Sequence, residues 1–205
     1  MIQRAAVLAF PAPPRARGRP RDPDVDARVV CAARRLLAEK GYEALSFEAI
    51  AQATGVGKPT IYRRWPTKAH LAAEIATGDG AEGLPDIIAE QGLAAQIRAI
   101  VAQAANFYGK PEMKAAVLGV LANAQSDAGL RDQFNRLEDE TRRQMHAIVA
   151  KGQAAGLIHE GVDPDALFDT ISGSVIFRFL LSEVPMPADY VDAIATQIVR
   201  SLAPA

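Results

Sequence analysis

The chain has 205 residues, 49% of them hydrophobic, enough for one or two domains with a substantial core. Its total charge is close to neutral, yet residues 1–70 carry 13 Lys and Arg against 6 Asp and Glu, whereas residues 71–205 carry 10 against 18, a split that suggests one region meeting a polyanion and another that does not. A single cysteine, Cys31, excludes an internal disulfide framework and a multi-cysteine zinc site, and no apolar run approaches membrane-spanning length, so a cytoplasmic protein without a membrane partner is expected.

Residues 1–22 are rich in Pro, Ala and Arg without periodicity and are expected to form a disordered basic arm. Val25, Val29, Ala33, Leu36 and Leu37 then recur at helical spacing up to Gly41. Ser46 is a suitable N-cap for a short helix through Ala53. Thr54-Gly55-Val56 marks a turn, and a third helix runs to Trp65, stopped by Pro66. Thr67 caps a fourth helix reaching about Ala76.

A glycine-rich link (Gly78, Gly80, Gly83) leads into further amphipathic stretches. Leu93, Ile97, Ile100, Ala104 and Phe107 form one stripe; Met113, Val117, Val120, Leu121 and Ala124 form the next. A long helix carries Leu130, Phe134, Leu137, Thr141, Met145 and Ile148 and ends near Gly156. Asp163-Pro164 opens a helix to about Ser182, and Pro187 starts the last one. No stretch alternates as a strand would, so the expected fold is all-α with about nine helices. The expected organisation is an arm (1–22), a basic helical unit (23–70) and a helical second domain (71–205).

Gly55-Val56-Gly57-Lys58-Pro59-Thr60 has the outline of a phosphate-binding loop, but the outline fails. The upstream glycine position is Gln52, Pro59 stands where a hydroxyl is needed, and a helix precedes it rather than a strand. Within a basic three-helix unit the same stretch is a helix-turn-helix. Gly55 supplies the turn, Ile50, Val56 and Ile61 point inward, and the second helix offers Lys58, Thr60, Tyr62, Arg63 and Arg64 outward.

The run FEAIAQATGVGKPTIYRRWPTKAHL, with Lys-Gly-Tyr before it, resembles the DNA-binding signature of the TetR/AcrR family of bacterial transcriptional regulators over about Val25–Leu71. Beyond that the resemblance is architectural, a helical second domain of suitable length. The resemblance implies that Lys58, Thr60 and Arg64 face base edges in the major groove and that Pro59 makes apolar contact with a thymine methyl or a sugar. It also implies that Tyr62, Lys68 and Ser46 with its following amides hold phosphates. Trp65 is expected to pack against the first helix.

Arg17-Gly18-Arg19-Pro20 resembles an AT-hook core, so Arg17 and Arg19 are candidate minor-groove contacts. Catalysis has little support: His70, His146 and His159 are scattered, and no nucleophile elbow, metal-ligand spacing or cofactor motif is present. Two functions therefore stand. A ligand-responsive regulator would bind a palindromic operator and hold a small, moderately hydrophobic effector in an apolar cavity. That cavity would lie among the helices carrying Phe107, Val117, Leu121, Phe134, Met145 and Phe177, with Gln125 and Arg178 as polar groups. A solid core there would point instead to a constitutive, architectural DNA-binding factor. The resemblance also implies a homodimer through the last two helices, along Leu167, Ile171, Val175 and Phe179 and along Val191, Ile194, Ile198 and Leu202. An effector wedged among the helices beginning near Leu93, Pro111 and Leu130 would swing the helix Thr67–Ala76 and move the reading helices out of register.

Overall fold

The computed structural model describes residues 23–79, 83–182 and 184–204. Among them the chain is helical throughout: α1 (Pro23–Lys40), α2 (Phe47–Thr54), α3 (Lys58–Arg64), α4 (Lys68–Asp79), α5 (Ile88–Gly109), α6 (Pro111–Ala124), α7 (Ala128–Ala154), α8 (Pro164–Ile176) and α9 (Ala188–Leu202). The helix expected to run to about Ser182 has the right extent but not one geometry. Its end is a π-helical turn, Phe177–Leu181, in which the Ser182 N–H donates to the Phe177 carbonyl at 2.9 Å.

Caps fix most of the boundaries. Ser46 Oγ accepts from Ala49 N–H (3.1 Å), Asp127 from Leu130 N–H (3.1 Å), and Asp163 from the N–H groups of Asp165 and Ala166 (2.8 and 3.4 Å). Each satisfies amides that the first helical turn leaves unpaired. Pro111 and Pro164, which lack a donor, sit where none is needed. α5 is broken at Gly92 (φ 79°, ψ 177°), so its continuous run begins at Leu93.

Two buried clusters organise the chain. The first joins α1–α4 (Val29, Leu37, Ile50, Ile61, Trp65, Leu71, Ile75) to Met113, Ala116, Val117 and Val120 of α6 and to Leu130 and Leu180. The head formed by α1–α4 therefore shares its core with the body, and the boundary expected after residue 70 falls inside α4. The second cluster joins α5, α7, α8 and α9 through Ile97, Val101, Met145, Ile148, Leu167, Ile171, Val191 and Ile198. The link into α5 is strapped down by three glutamines. Gln96, fully buried, accepts from Ile87 N–H (2.7 Å) and donates to the Pro85 carbonyl (2.5 Å). Gln144 accepts from Leu84 N–H and Gln103 donates to the Gly83 carbonyl, both at 2.7 Å. No described helix is long and apolar enough to cross a membrane.

The stripes expected to pair two copies are used within one chain. Leu167, Ile171, Val175, Val191, Ile198 and Leu202 are buried, and Phe179 and Ile194 half-buried. Most are packed in the second cluster. The apolar surface left near them lies at the π turn: Phe177 (60% exposed), Leu181 (70%) and Val184 (40%).

Candidate nucleic-acid interface

The turn between α2 and α3 is built by three local bonds. Thr54 Oγ1 donates to the Ile50 carbonyl (2.8 Å) and accepts from Val56 N–H (3.2 Å), and Gly55 N–H closes on the Ala51 carbonyl (2.9 Å). Gly55 has φ +70°, a left-handed conformation that side chains resist. Ile50, Val56 and Ile61 are buried beneath the turn as expected, and this fixes the α2–α3 angle. Trp65 is buried too, and its Nε1–H donates to the Glu74 carboxylate at 2.6 Å, tying the end of α3 to α4.

With Ile61 inward, the opposite face of α3 meets solvent. Lys58, Pro59, Tyr62 and Arg63 are exposed and Thr60 is half-buried. Tyr62 stands on Phe47 edge to face, with ring centroids 4.8 Å apart, and is 56% exposed. Lys58 forms an ion pair with Glu48 at the start of α2. Two cations, two hydroxyls and an apolar ring edge thus share roughly two turns of one helix. That set suits guanine acceptors, phosphate oxygens and a thymine methyl.

Two expected contacts are held elsewhere. Arg64 lies against α1, where it pairs with Asp26, and its side chain is only 13% exposed. Its chemistry as found is scaffolding between α3 and α1, because a partner 38 residues upstream claims the guanidinium. Lys68 donates to the carbonyls of Tyr42 and Glu43 (3.1 and 3.4 Å) and lies 4.4 Å from the Tyr42 ring centroid. These acceptors engage the ammonium expected to hold a phosphate. Ser46 spends its hydroxyl on the cap of α2. Arg17 and Arg19 lie outside the described residues. Asp26 and Glu48 were not singled out by sequence, and Tyr42 only as part of the Lys-Gly-Tyr run; acids within a basic segment are the signal that would have pointed to the first two.

The eight residues expected around an effector are not brought together. Val117 is buried in the first cluster, with Phe107 and Phe134 packed half-buried against it, while Met145 belongs to the second. Leu121, Gln125 and Phe177 are at the surface. Arg178 donates to the Pro185 carbonyl (2.8 Å) and stacks 3.6 Å from the Tyr190 ring centroid. Tyr108 lies edge to face with Phe107 (5.0 Å), and its burial, with Glu138 nearby, pushes the phenol pKa up. The histidines remain apart: His70 contacts Thr67 Oγ1, His146 contacts Asp165, and His159 accepts from Gly161 N–H. Among the described residues no His, Cys, Asp and Glu gather as a metal-ligand set.

Family models match both halves of the chain. One, described as "Bacterial regulatory proteins, tetR family", covers residues 30–75, and one described as "Tetracyclin repressor-like, C-terminal domain" covers residues 87–198. The HTH-type transcriptional regulator YdeS of Bacillus subtilis (strain 168) is 28% identical over 178 residues, which span 85% of this chain and 88% of that protein. A TetR family transcription regulator of known crystal structure is similar with a TM-score of 0.65 and 25% identity, covering 88% of this chain and 100% of the other. The regulator FadR from Bacillus subtilis, solved in complex with stearoyl-CoA, has a TM-score of 0.63 at 20% identity, covering 85% and 95%, a likeness of fold.

Proposed function

Because the chain belongs to the tetR family of bacterial regulatory proteins and is a DNA-binding transcriptional regulator, we propose that it is a ligand-responsive repressor that binds a palindromic operator as a homodimer in the cytoplasm. The observation that carries this reading is the exposed face of α3, seated on a head whose core continues into the body. In a dimer, two such faces enter successive major grooves roughly 34 Å apart. Lys58, Thr60 and Arg63 then reach base edges, Pro59 meets a thymine methyl or sugar, and Tyr62 holds a phosphate. Ser46 serves through the amides it caps. Arg64 and Lys68 act first as scaffolding and contact DNA only by leaving Asp26 and the Tyr42 carbonyl. The arm with Arg17 and Arg19 lies along the adjacent minor groove.

Two copies pair through the outward face of α8 and its π turn, where Phe177 and Leu181 are exposed, together with the outer side of α9. The effector is a small, moderately hydrophobic molecule lodged beside the half-buried Phe107, Tyr108 and Phe134, between α5, α6 and α7. The stearoyl-CoA complex of a protein with this fold supports ligand binding by the body. The scatter of the eight expected pocket residues favours the other reading, a constitutive factor whose body only dimerises.

The test is a palindrome selected by the protein from a random duplex library, with binding followed by anisotropy. Phe177→Glu combined with Leu181→Glu should give monomers that lose that palindrome, seen in sedimentation. An effector must weaken operator binding and be weakened by operator to the same factor. A dimer unmoved by both substitutions would refute the interface, and a bound ligand without reciprocity would leave the constitutive reading standing.

A further inference from the structure

Beside the core that the head shares with α6, one aromatic side chain makes an unusually close contact. Tyr42, in the turn between α1 and α2, lays its ring over Gly119 so closely that a Cβ on Gly119 would stand 2.1–2.5 Å from three ring atoms. Glycine is what leaves room for the contact. One turn further along α6, Asn123 donates from Nδ2 both to the Tyr42 hydroxyl (3.2 Å) and to the Gly119 carbonyl (2.7 Å). The ring also meets the Lys68 ammonium at the start of α4, 4.4 Å from its centroid. Burial, with Glu43 nearby, raises the phenol pKa, so the hydroxyl stays neutral at physiological pH. An open groove of about 440 Å³, bordered by Leu37, Tyr42, Pro111, Ala115 and Leu118, lies beside the ring. The ring therefore has somewhere to go if it leaves its seat.

α1 passes any movement on to the reading helix, since Val29, Ala33 and Ile61 share one core and Asp26 pairs with Arg64. We propose that Tyr42 and Gly119 form a ball-and-socket joint that sets the tilt of the head on the body and hence the spacing of the two α3 helices on DNA. Tyr42 is a positioning residue in this role; its ring serves α6, not the duplex. The proposal rests on the dimeric, palindrome-binding reading above and adds the element through which α6 governs spacing.

The full chain is tested on the palindromic duplex it selects from a random library, on versions with half-sites one base pair closer and farther, and on a random duplex of equal length. Gly119→Ala should weaken the selected spacing at least tenfold and change the ranking of the three spacings. Binding to the random duplex should stay within twofold and its salt dependence should not change. Adding Tyr42→Ala, which removes the ring that the new methyl strikes, should bring affinity for the selected spacing back to within threefold of the parent. If Gly119→Ala does not fold by circular dichroism, Tyr42→Ala alone decides: it should reduce the differences among the three spacings to within twofold.

An unchanged ranking in either single variant overturns the joint. So does an equal loss on selected and random duplexes, or the absence of recovery in the double variant. A parent that selects no palindrome overturns the functional reading and the joint together, whereas a parent that discriminates spacing while its variants keep that ranking overturns the joint alone.

Discussion

Ile61 and Tyr62 are neighbours on α3, one fully buried and the other 56% exposed, and truncating each should separate folding from DNA contact. Ile61→Ala removes three buried carbons. At about 0.8 kcal/mol per buried methylene that is a loss of roughly 2.4 kcal/mol. The hole left among Ile50, Val56 and Trp65 raises the cost to about 3–4 kcal/mol. For a chain of this size each kcal/mol is worth about 2–4 °C, so the melting midpoint should fall by roughly 6–16 °C. Tyr62→Ala forfeits its contact with Phe47, worth about 1 kcal/mol, and should shift the midpoint by only about 2–4 °C. On the selected palindrome, however, it should cost about tenfold in affinity, or ~1.4 kcal/mol, at fixed salt. Thermal melts and fluorescence anisotropy on both variants measure the two effects. If Tyr62→Ala melts as far below the parent as Ile61→Ala does, or binds DNA like the parent, the division of α3 into an inner and a reading face is wrong.

Trp65→Phe keeps an aromatic ring in the head core but removes the donor to Glu74; it should cost about 2 kcal/mol in urea unfolding, and a loss below about 0.5 kcal/mol would show that the bond contributes little. Asp165 accepts hydrogen bonds from His146 and Arg142, which hold its carboxyl below the ordinary range. A lowered folded-state pKa stabilises above the unfolded value and is lost as pH falls through the folded one. Asp165→Asn should therefore melt below the parent at neutral pH, and the two curves should converge on the acid side of the carboxylate range; a constant offset across that range would contradict the pairing.

Much of the head could be read from sequence because its signals are local. A serine cap, a glycine turn and three inward apolar residues lie within 16 positions, Ser46 to Ile61, and each acts on its near neighbours. Helix starts at Asp163-Pro164 and Pro111 were equally plain. Less legible is what an amphipathic pattern leaves open. Leu167 and Ile171 repeat at the same helical spacing whether they serve the chain's own core, where both are buried with α5 and α7, or a second copy. Arg64 and Lys68 are basic and lie where a duplex is expected, but their sequence positions say nothing of Asp26 or the carbonyls in the turn after α1. The break at Gly92 uses the positive φ that glycine allows, but a glycine inside a helical run does not by itself announce a break, and no glycine or proline lies within the π turn at Phe177–Leu181 to mark it.

The first buried cluster has a consequence for grafting. Chimeric regulators are made by cutting in the link between head and body, here around residues 79–83, and joining the head to a foreign body. That cut would carry Leu37, Trp65 and Ile75 away from Met113, Ala116, Val117 and Val120, which complete the same core from α6. The exchangeable unit is therefore discontinuous in sequence, residues 23–79 together with the inner face of 113–120. A transplanted head should keep its stability only in a host whose α6 presents that same apolar face, or once those α6 positions are transplanted with it.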